Sequence, residues 1–250
     1  MARQRTNAYY DSHWEDFSDL VYPAVKIERA RDFFRPVLNS INDKKTILDI
    51  GCGDGVHWNY LKRIENSPVI YSGVDISTRA VDYLKGIADK SEGSFFVMDA
   101  CNLDFPDNHF DIVFAYGVIG YTDDPQSALQ EIQRVGKPGG LIGIFSPDIK
   151  GISKTILVAT RAIAKLSGNR GKRIMANLLV PFFGLARSET QISLRNASWR
   201  QVCEVILTDI APPTLKIINY QEMINWFDNL KIKIKYDSAD YKTILWGIKS

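Results

Sequence analysis

Histidine, cysteine and long apolar runs are scarce in this chain, and each scarcity removes a class of explanation. The three cysteines, Cys52, Cys101 and Cys203, are odd in number and far apart, which suits reduced thiols and argues against a disulfide framework or a zinc site. No segment holds the roughly 18 consecutive apolar residues that a spanning helix needs, and Met1–Tyr10 lacks the apolar centre of a signal peptide. A cytoplasmic location is therefore expected. Neither sign of charge dominates: 31 Lys and Arg face 29 Asp and Glu, a net +2 at pH 7 that weighs against a wholly basic nucleic-acid binder. Hydrophobic residues at 45% and charged residues at 24% suit a folded domain, and 250 residues suit one α/β domain with an insertion or cap, or two small domains. Internal repeats, low-complexity tracts and a convincing metal-ligating cluster are also missing, so no metal is expected.

What is present is a glycine-rich junction. In ILDIGCGDG, Ile47 to Gly55, the residues Ile47, Leu48 and Ile50 read as a buried strand, Gly51 to Gly55 as a tight turn, and Val56 to Ile64 as the helix that follows. Such a junction brings backbone N–H groups and a helix N-terminus close to a ligand. The spacing is GxGxG, with Val56 where the last glycine of a dinucleotide-binding GxGxxG would fall, so a pyrophosphate cradle is disfavoured.

From Thr46 to Phe145 strand and helix patterns alternate with short loops, which predicts a parallel, doubly wound sheet. Strands are expected at Thr46–Ile50, Val69–Val74, Ser94–Met98, Phe110–Tyr116 and Leu141–Phe145. Helices are expected at Val56–Ile64, Thr78–Ala88 and Pro125–Val135, and Lys137–Gly140 (KPGG) reads as a turn. Further on, Asn219–Leu230 predicts a helix with Met223, Trp226, Phe227 and Leu230 along one stripe. The alternating Lys231–Tyr236 suits a lysine-studded edge strand, and Lys242–Ile248 an inner strand. Residues 1–45 then form an N-terminal helical cap, 46–146 the cofactor-binding core, 147–218 a helical insertion over the mouth of the site, and 219–250 the elements that complete the sheet.

Acidic residues stand at the ends of two of these strands. Asp75 ends the second, in VDIS, where a carboxylate can accept from two adjacent ribose hydroxyls, with Ile76 beside it; Asp99 follows the third, in FVMDA. A helix cap or an exposed turn would be the plain alternative for each, although Ser77 or Thr78 suits the cap better than Asp75 does.

The glycine loop, Asp75, Asp99, FDIVFAYGVIG (Phe110–Gly120) and LQEIQRVGKPGGLIGI (Leu129–Ile144) together resemble the class I methyltransferases that use S-adenosylmethionine, over about residues 46–146. The resemblance implies a Rossmann-like, mostly parallel seven-stranded sheet with its last strand antiparallel. It implies that the cofactor's amino-acid part lies by Asp49, Gly51, Cys52, Gly53 and Gly55, its ribose by Asp75 and Ile76, and its adenine by Asp99 and Ala100. The transferring methyl group would then border Tyr116 and Gly117. Asp49 resembles the family's acidic residue that orients the loop or meets the methionine amino group, a structural role being the alternative; Cys52 alone reads as a small side chain that fits the turn.

The acceptor is narrowed by what does not match. AYGV, Ala115–Val118, replaces the [DN]PP[YF] of enzymes that methylate base amino groups, and the paired-glutamate loop of protein arginine methyltransferases is lacking, so a small-molecule acceptor is expected. Tyr121 stands near the position where related enzymes carry a histidine base. With His57 and His13 it makes up a weak set of catalytic candidates, each with a packing role as the plain alternative; His109 reads as an exposed turn residue. Around His13 lie Tyr9, Tyr10, Trp14, Phe17 and Tyr22, aromatic faces able to hold a sulfonium or wall an acceptor pocket, or simply to pack a cap.

The near-neutral total hides a polarised chain. Between Phe145 and Arg200 ten basic residues face two acidic ones, a local +8 that leaves −6 elsewhere. Within that stretch Ile152–Leu166 is amphipathic, with Ile152, Ile156, Ala159, Ile163 and Leu166 on one stripe and Lys154, Arg161 and Lys165 opposite. The plain expectation is a lid whose apolar stripe packs inward under a solvated basic face. The alternative is a surface for an anionic membrane or for a lipid-like or anionic acceptor, with RNA a weaker candidate because aromatic interleaving is lacking. A non-catalytic protein that docks a partner through this insertion, and a nicotinamide-dependent enzyme, are the rival functions; oligomeric state is left open.

Overall fold

The computed structural model describes residues 6–11, 23–41, 45–64, 69–89, 93–146, 151–185, 199–238 and 243–250. Its strands are β1 (Thr46–Ile50), β2 (Ile70–Asp75), β3 (Ser94–Val97), β4 (Phe110–Tyr116), β5 (Gly136–Ser146), β6 (Ile232–Ser238) and β7 (Thr243–Lys249). They form one seven-stranded sheet in the order β3-β2-β1-β4-β5-β7-β6. Pairs from β3 through β5 are parallel, and β7 runs antiparallel to both β5 and β6. This is the Rossmann-like, doubly wound arrangement with a reversed last strand. The strand order turns between β1 and β4, and the crevice that such a turn opens at the strands' carboxyl ends is where the ligand site sits.

Residues 6–11 form α1, followed by α2 (Pro23–Phe34) and a 3-10 turn (Arg35–Ser40). In the core come α3 (Val56–Lys62), α4 (Thr78–Ile87) and α5 (Pro125–Val135). After β5 the chain inserts α6 (Gly151–Leu166), α7 (Asn169–Leu185) and α8 (Trp199–Ile210), then returns to the sheet through α9 (Tyr220–Asn229). The start of α5 follows from sequence: Asp124 Oδ1 accepts from the Gln126 amide at 3.0 Å, and Pro125 opens the first turn. Ser77 caps α4 by accepting from the Ala80 amide at 3.2 Å, which leaves Asp75 free for other work.

Strand β1 is covered on both sides, as parallel strands require. Leu48 and Ile50 face a core that α5 supplies with Ala128, Leu129, Ile132 and Val135 and α9 with Met223 and Phe227. Ile47 faces the other core, where Phe33 and Phe34 of α2, Trp58 and Leu61 of α3 and Trp246 of β7 meet. Gly143 of β5 pairs with Trp246, and a Cβ there would lie 2.5 Å from the indole, so glycine is what allows this ring to lie flat across the sheet. Trp246 Nε1 in turn donates to the Phe33 carbonyl at 2.9 Å.

Three expectations are corrected. Lys137–Gly140 is not a turn ahead of the strand but a bulge inside β5: Gly136 pairs with Phe110 and Leu141 already with Ile112, and Gly139 takes φ 76°. The helix after the glycine loop ends at Lys62, two residues short of Ile64. The largest correction concerns α6. Its buried face is Thr160, Arg161 and Ala164, with Leu157 partly buried, whereas Ile156, Ile163 and Leu166 of the apolar stripe are exposed. A small separate core of Ala176, Val180, Cys203, Ile206 and Ile210 holds α7 against α8, and Leu157 packs on it.

The C-terminal reading holds. Ile232 is buried, Lys233 and Lys235 are exposed, and β6 is the sheet edge with β7 inside it. Among the described residues no helix is long and apolar enough to cross a membrane.

Candidate functional site

The glycine loop is a tight turn held in place by its own amides. Gly51, Gly53 and Gly55 take φ values of 75°, 51° and 75°, the left-handed region that glycine enters without steric cost. At Gly51 a second constraint applies, since a Cβ would lie 2.1 Å from Val118 Cγ2 in the loop after β4. The amides of Gly51 and Cys52 both donate to the Val74 carbonyl, at 2.7 and 3.0 Å, and that of Gly55 to the Cys52 carbonyl at 2.9 Å. Gly53 N–H donates to Asp75 Oδ2 at 3.0 Å. The expectation that this loop presents N–H groups to a ligand is narrowed, since the amides of Gly51, Cys52, Gly53 and Gly55 are engaged by β2 and by the loop itself.

A cavity of about 370 Å³ opens above the loop at the carboxyl ends of the strands. It brings together Gly51, Gly53, Asp75, Ile76, Asp99, Ala100, Tyr116, Gly117 and Tyr121 from the sequence-derived set. Asp49, Cys52 and Gly55 are not in its wall. Asp49 is fully buried beneath the loop, where Tyr71 Oη donates to its Oδ2 at 2.5 Å and His57 Nδ1 lies 3.3 Å from the same oxygen. Burial, then the neighbouring Asp49, holds the Tyr71 phenol well above its ordinary value. Cys52 packs under the loop against Gly73, and burial pushes its thiol up, so this sulfur is a space-filler. Gly55 ends the loop as the residue preceding α3, with Leu84 only 2.6 Å from where its Cβ would stand.

Asp75 is the polar centre of the cavity. Its Oδ1 accepts from the Ser77 amide at 2.9 Å and its Oδ2 from Gly53, which orients both oxygens while leaving each with further acceptor capacity. Burial raises its carboxyl from 3.8 to about 6, the Ser77 and Gly53 amides working against that rise. Asp99 Oδ1 accepts from the Cys101 amide at 2.9 Å, a local turn that fixes this carboxylate just past β3. At the far end Tyr116 stacks on Phe145, centroids 4.2 Å apart, and burial pushes its phenol up to about 12.

Of the catalytic candidates, Tyr121 alone borders the cavity. His57 is buried among Phe33, Phe34, Phe114 and Tyr116, outside the wall, and His13 lies outside the described residues. His109 is exposed beside Phe105. Thr6, Met98, Val118, Thr122 and Asp123 also line the cavity and were not singled out for that role; Tyr10, one of the aromatic faces named as able to wall a pocket, does line it. For Thr6 the reason is physical: α1 is brought there by a long-range contact, Ser77 Oγ donating to Asp11 Oδ1 at 2.7 Å, which no local pattern encodes. Burial first, then Tyr9 and Asp75, raises the Tyr10 phenol.

This arrangement offers acceptors and apolar walls: the carboxylates of Asp75, Asp99 and Asp123, with Ile50, Val74, Ile76, Met98 and Ala100 around them. A pyrophosphate would meet carboxylates and a loop whose Gly51, Cys52, Gly53 and Gly55 amides are already engaged. A ligand bearing hydroxyl and amino donors and a positive charge is the better complement.

Comparison with known proteins agrees with this chemistry. Residues 48–144 match the family described as "Methyltransferase domain". "Probable methyltransferase ltbC" of Aspergillus luteorubrus is 38% identical over 145 residues, covering 53% of this chain and 50% of that protein. Norajmaline N-methyltransferase of Rauvolfia serpentina is 35% identical over 107 residues, 41% of this chain and 36% of that protein. The chain thus spans half or less of the length of these relatives. Among solved structures, magnesium protoporphyrin IX methyltransferase of Synechocystis PCC 6803, with SAH bound, superposes with a TM-score of 0.59 at 12% identity, covering 99% of this chain and 98% of that one. At that identity the likeness concerns the fold.

Proposed function

We propose, for a chain whose core is a class I S-adenosylmethionine-dependent methyltransferase domain, that it methylates a small-molecule acceptor. The observation that carries this reading is the pairing of a glycine loop, its Gly51, Cys52, Gly53 and Gly55 amides engaged internally, with two carboxylates, Asp75 and Asp99, at successive strand ends. Gly51 and Gly53 would lie against the amino-acid part of the cofactor, Asp75 would accept from the ribose hydroxyls, and Asp99 with Ala100 would hold the adenine. When bound, S-adenosylmethionine supplies a sulfonium-activated methyl group, which an in-line nucleophile takes while neutral S-adenosylhomocysteine leaves.

The residues of this chain contribute alignment and exclusion of water. Tyr116 and Gly117 end β4 at the cavity, and the Gly117 amide is fixed by the Phe145 carbonyl at 2.9 Å. The turn beyond them is latched from the insertion side, Lys216 N–H donating to the Gly120 carbonyl at 2.7 Å. A small acceptor is supported by AYGV at residues 115–118 in place of a base-reading motif. Three cysteines held as thiols rather than disulfides support a cytoplasmic setting.

Titration calorimetry with S-adenosylhomocysteine tests the cofactor assignment; absence of binding to the wild type overturns it. Radiolabelled methyl transfer into small-molecule, tRNA and protein fractions of a cell extract tests the acceptor class. Label confined to the tRNA or protein fraction would overturn the small-molecule reading while leaving the domain assignment intact.

A further inference from the structure

The outward faces of α6 and α7 are unlike the rest of the surface. Among the described residues thirteen large hydrophobic side chains are exposed, and six of them fall in these two helices. On α6, Ile156 is 50% exposed, Ile163 57% and Leu166 91%; on α7, Ile174 is 62% exposed and Leu178 67%. Spacings of seven and three place Ile156, Ile163 and Leu166 on one stripe, and a spacing of four does the same for Ile174 and Leu178. The inner faces are spent on other contacts. Arg161 donates to the Pro212 carbonyl at 2.9 Å, Ala164 is fully buried, and Ala176 and Val180 pack on α8. The stripes are therefore not cores awaiting a small rotation.

Charge decides what these stripes fit. Residues 151–185 contain six Lys and Arg and no Asp or Glu, and Lys154, Lys165, Arg170 and Arg173 are exposed. A second copy of the chain would cover the apolar stripes only by opposing two all-cationic faces. RNA would satisfy the cations but leave Leu166 and Ile163 in water. An anionic lipid surface answers both: aliphatic side chains enter the acyl boundary while lysine and arginine reach the headgroups. With 16 and 17 residues and no span long and apolar enough to cross, these helices suit lying in the interface.

We propose that α6 and α7 form a docking surface for an anionic lipid bilayer, with Ile156, Ile163 and Leu166 of α6 and Ile174 and Leu178 of α7 entering the membrane. Docking is independent of the methyl-transfer reading, since none of these residues lines the cavity. It also places the cavity near the lipid, because Arg161, on the opposite face of α6, is an electrostatic neighbour of the cavity residue Tyr10.

The test is co-sedimentation of the full chain with vesicles of phosphatidylcholine alone or mixed equally with phosphatidylglycerol, over a salt series. Binding to the anionic vesicles that weakens with salt is expected, with little binding to the neutral ones. The double variant Ile163→Glu/Leu166→Glu should lose about tenfold or more in partitioning, the loss of two buried aliphatic groups. Because both positions are exposed, this variant should keep its unfolding midpoint and its affinity for S-adenosylhomocysteine. Lys165→Glu/Arg170→Glu should lose the salt dependence. Failure to bind anionic vesicles overturns the proposal. So does binding that the Ile163/Leu166 double variant leaves intact, or sedimentation showing that those residues instead hold a dimer. RNA binding that matches vesicle binding in strength and survives the aliphatic substitutions would likewise reject the lipid assignment.

Discussion

Helices α5 and α6 have similar amphipathic sequences and opposite fates. On α5 the stripe Ala128, Leu129, Ile132 and Val135 is buried to the last residue against the sheet. On α6 the stripe Ile156, Ile163 and Leu166 faces outward, and the helix is held instead by Thr160, Arg161, Ala164 and Leu157. A sheet gives a helix a broad apolar floor, so the apolar face wins. A neighbouring helix gives a narrow ridge, and a hydrogen bond from a buried guanidinium is enough to choose the other face. Hydrophobic periodicity therefore identifies the faces of a helix without saying which one is inside.

The strongest way to break this contrast is at the glycine loop. Gly51→Val adds a side chain 2.1 Å from Val118 at a left-handed φ, and S-adenosylhomocysteine binding should be lost altogether in calorimetry. Next comes a matched pair of truncations. Leu129→Ala, beneath the sheet, should cost about 2–5 kcal/mol in urea unfolding, whereas Leu166→Ala on the exposed stripe should stay within about 0.5 kcal/mol. Equal costs would mean that α6 packs as α5 does. Asp75→Ala should weaken S-adenosylhomocysteine binding by about 1.5–3 kcal/mol, and an unchanged affinity would remove the ribose assignment.

A smaller effect follows from protonation. With the Asp75 carboxyl raised to about 6, its oxygens are full acceptors only above that pH, so affinity should decline as pH falls through 6. For the ligand-free protein the sign reverses. A carboxyl raised above its unfolded value contributes stability that is fully present below the unfolded pKa and lost as pH rises through 6. Subtracting the pH–stability curve of Asp75→Asn from that of the wild type isolates this trend.

The limits of the sequence reading have physical causes. β1, β4 and α5 were readable to the residue because apolar runs there end at turn or cap signals such as Gly51, Asp124 and Pro125. The KPGG signal was real, but its place inside a strand depends on pairing across to Phe110 and Ile112. Asp75, Asp99, Tyr116 and Gly117 could be placed because strand ends in a parallel sheet converge on one crevice. Thr6 could not, since α1 is located by a contact between residues 66 apart. Nor could spacing show that the amides of Gly51, Gly53 and Gly55 are already engaged.

The bond from Trp246 to the Phe33 carbonyl joins residues 213 apart. On a translating ribosome, at roughly 5–20 residues per second, the second partner emerges about 10–40 s after the first. Helix α2 therefore lacks this one tie through that interval, while His57 and Phe114 are already available to pack on Phe33 and Phe34.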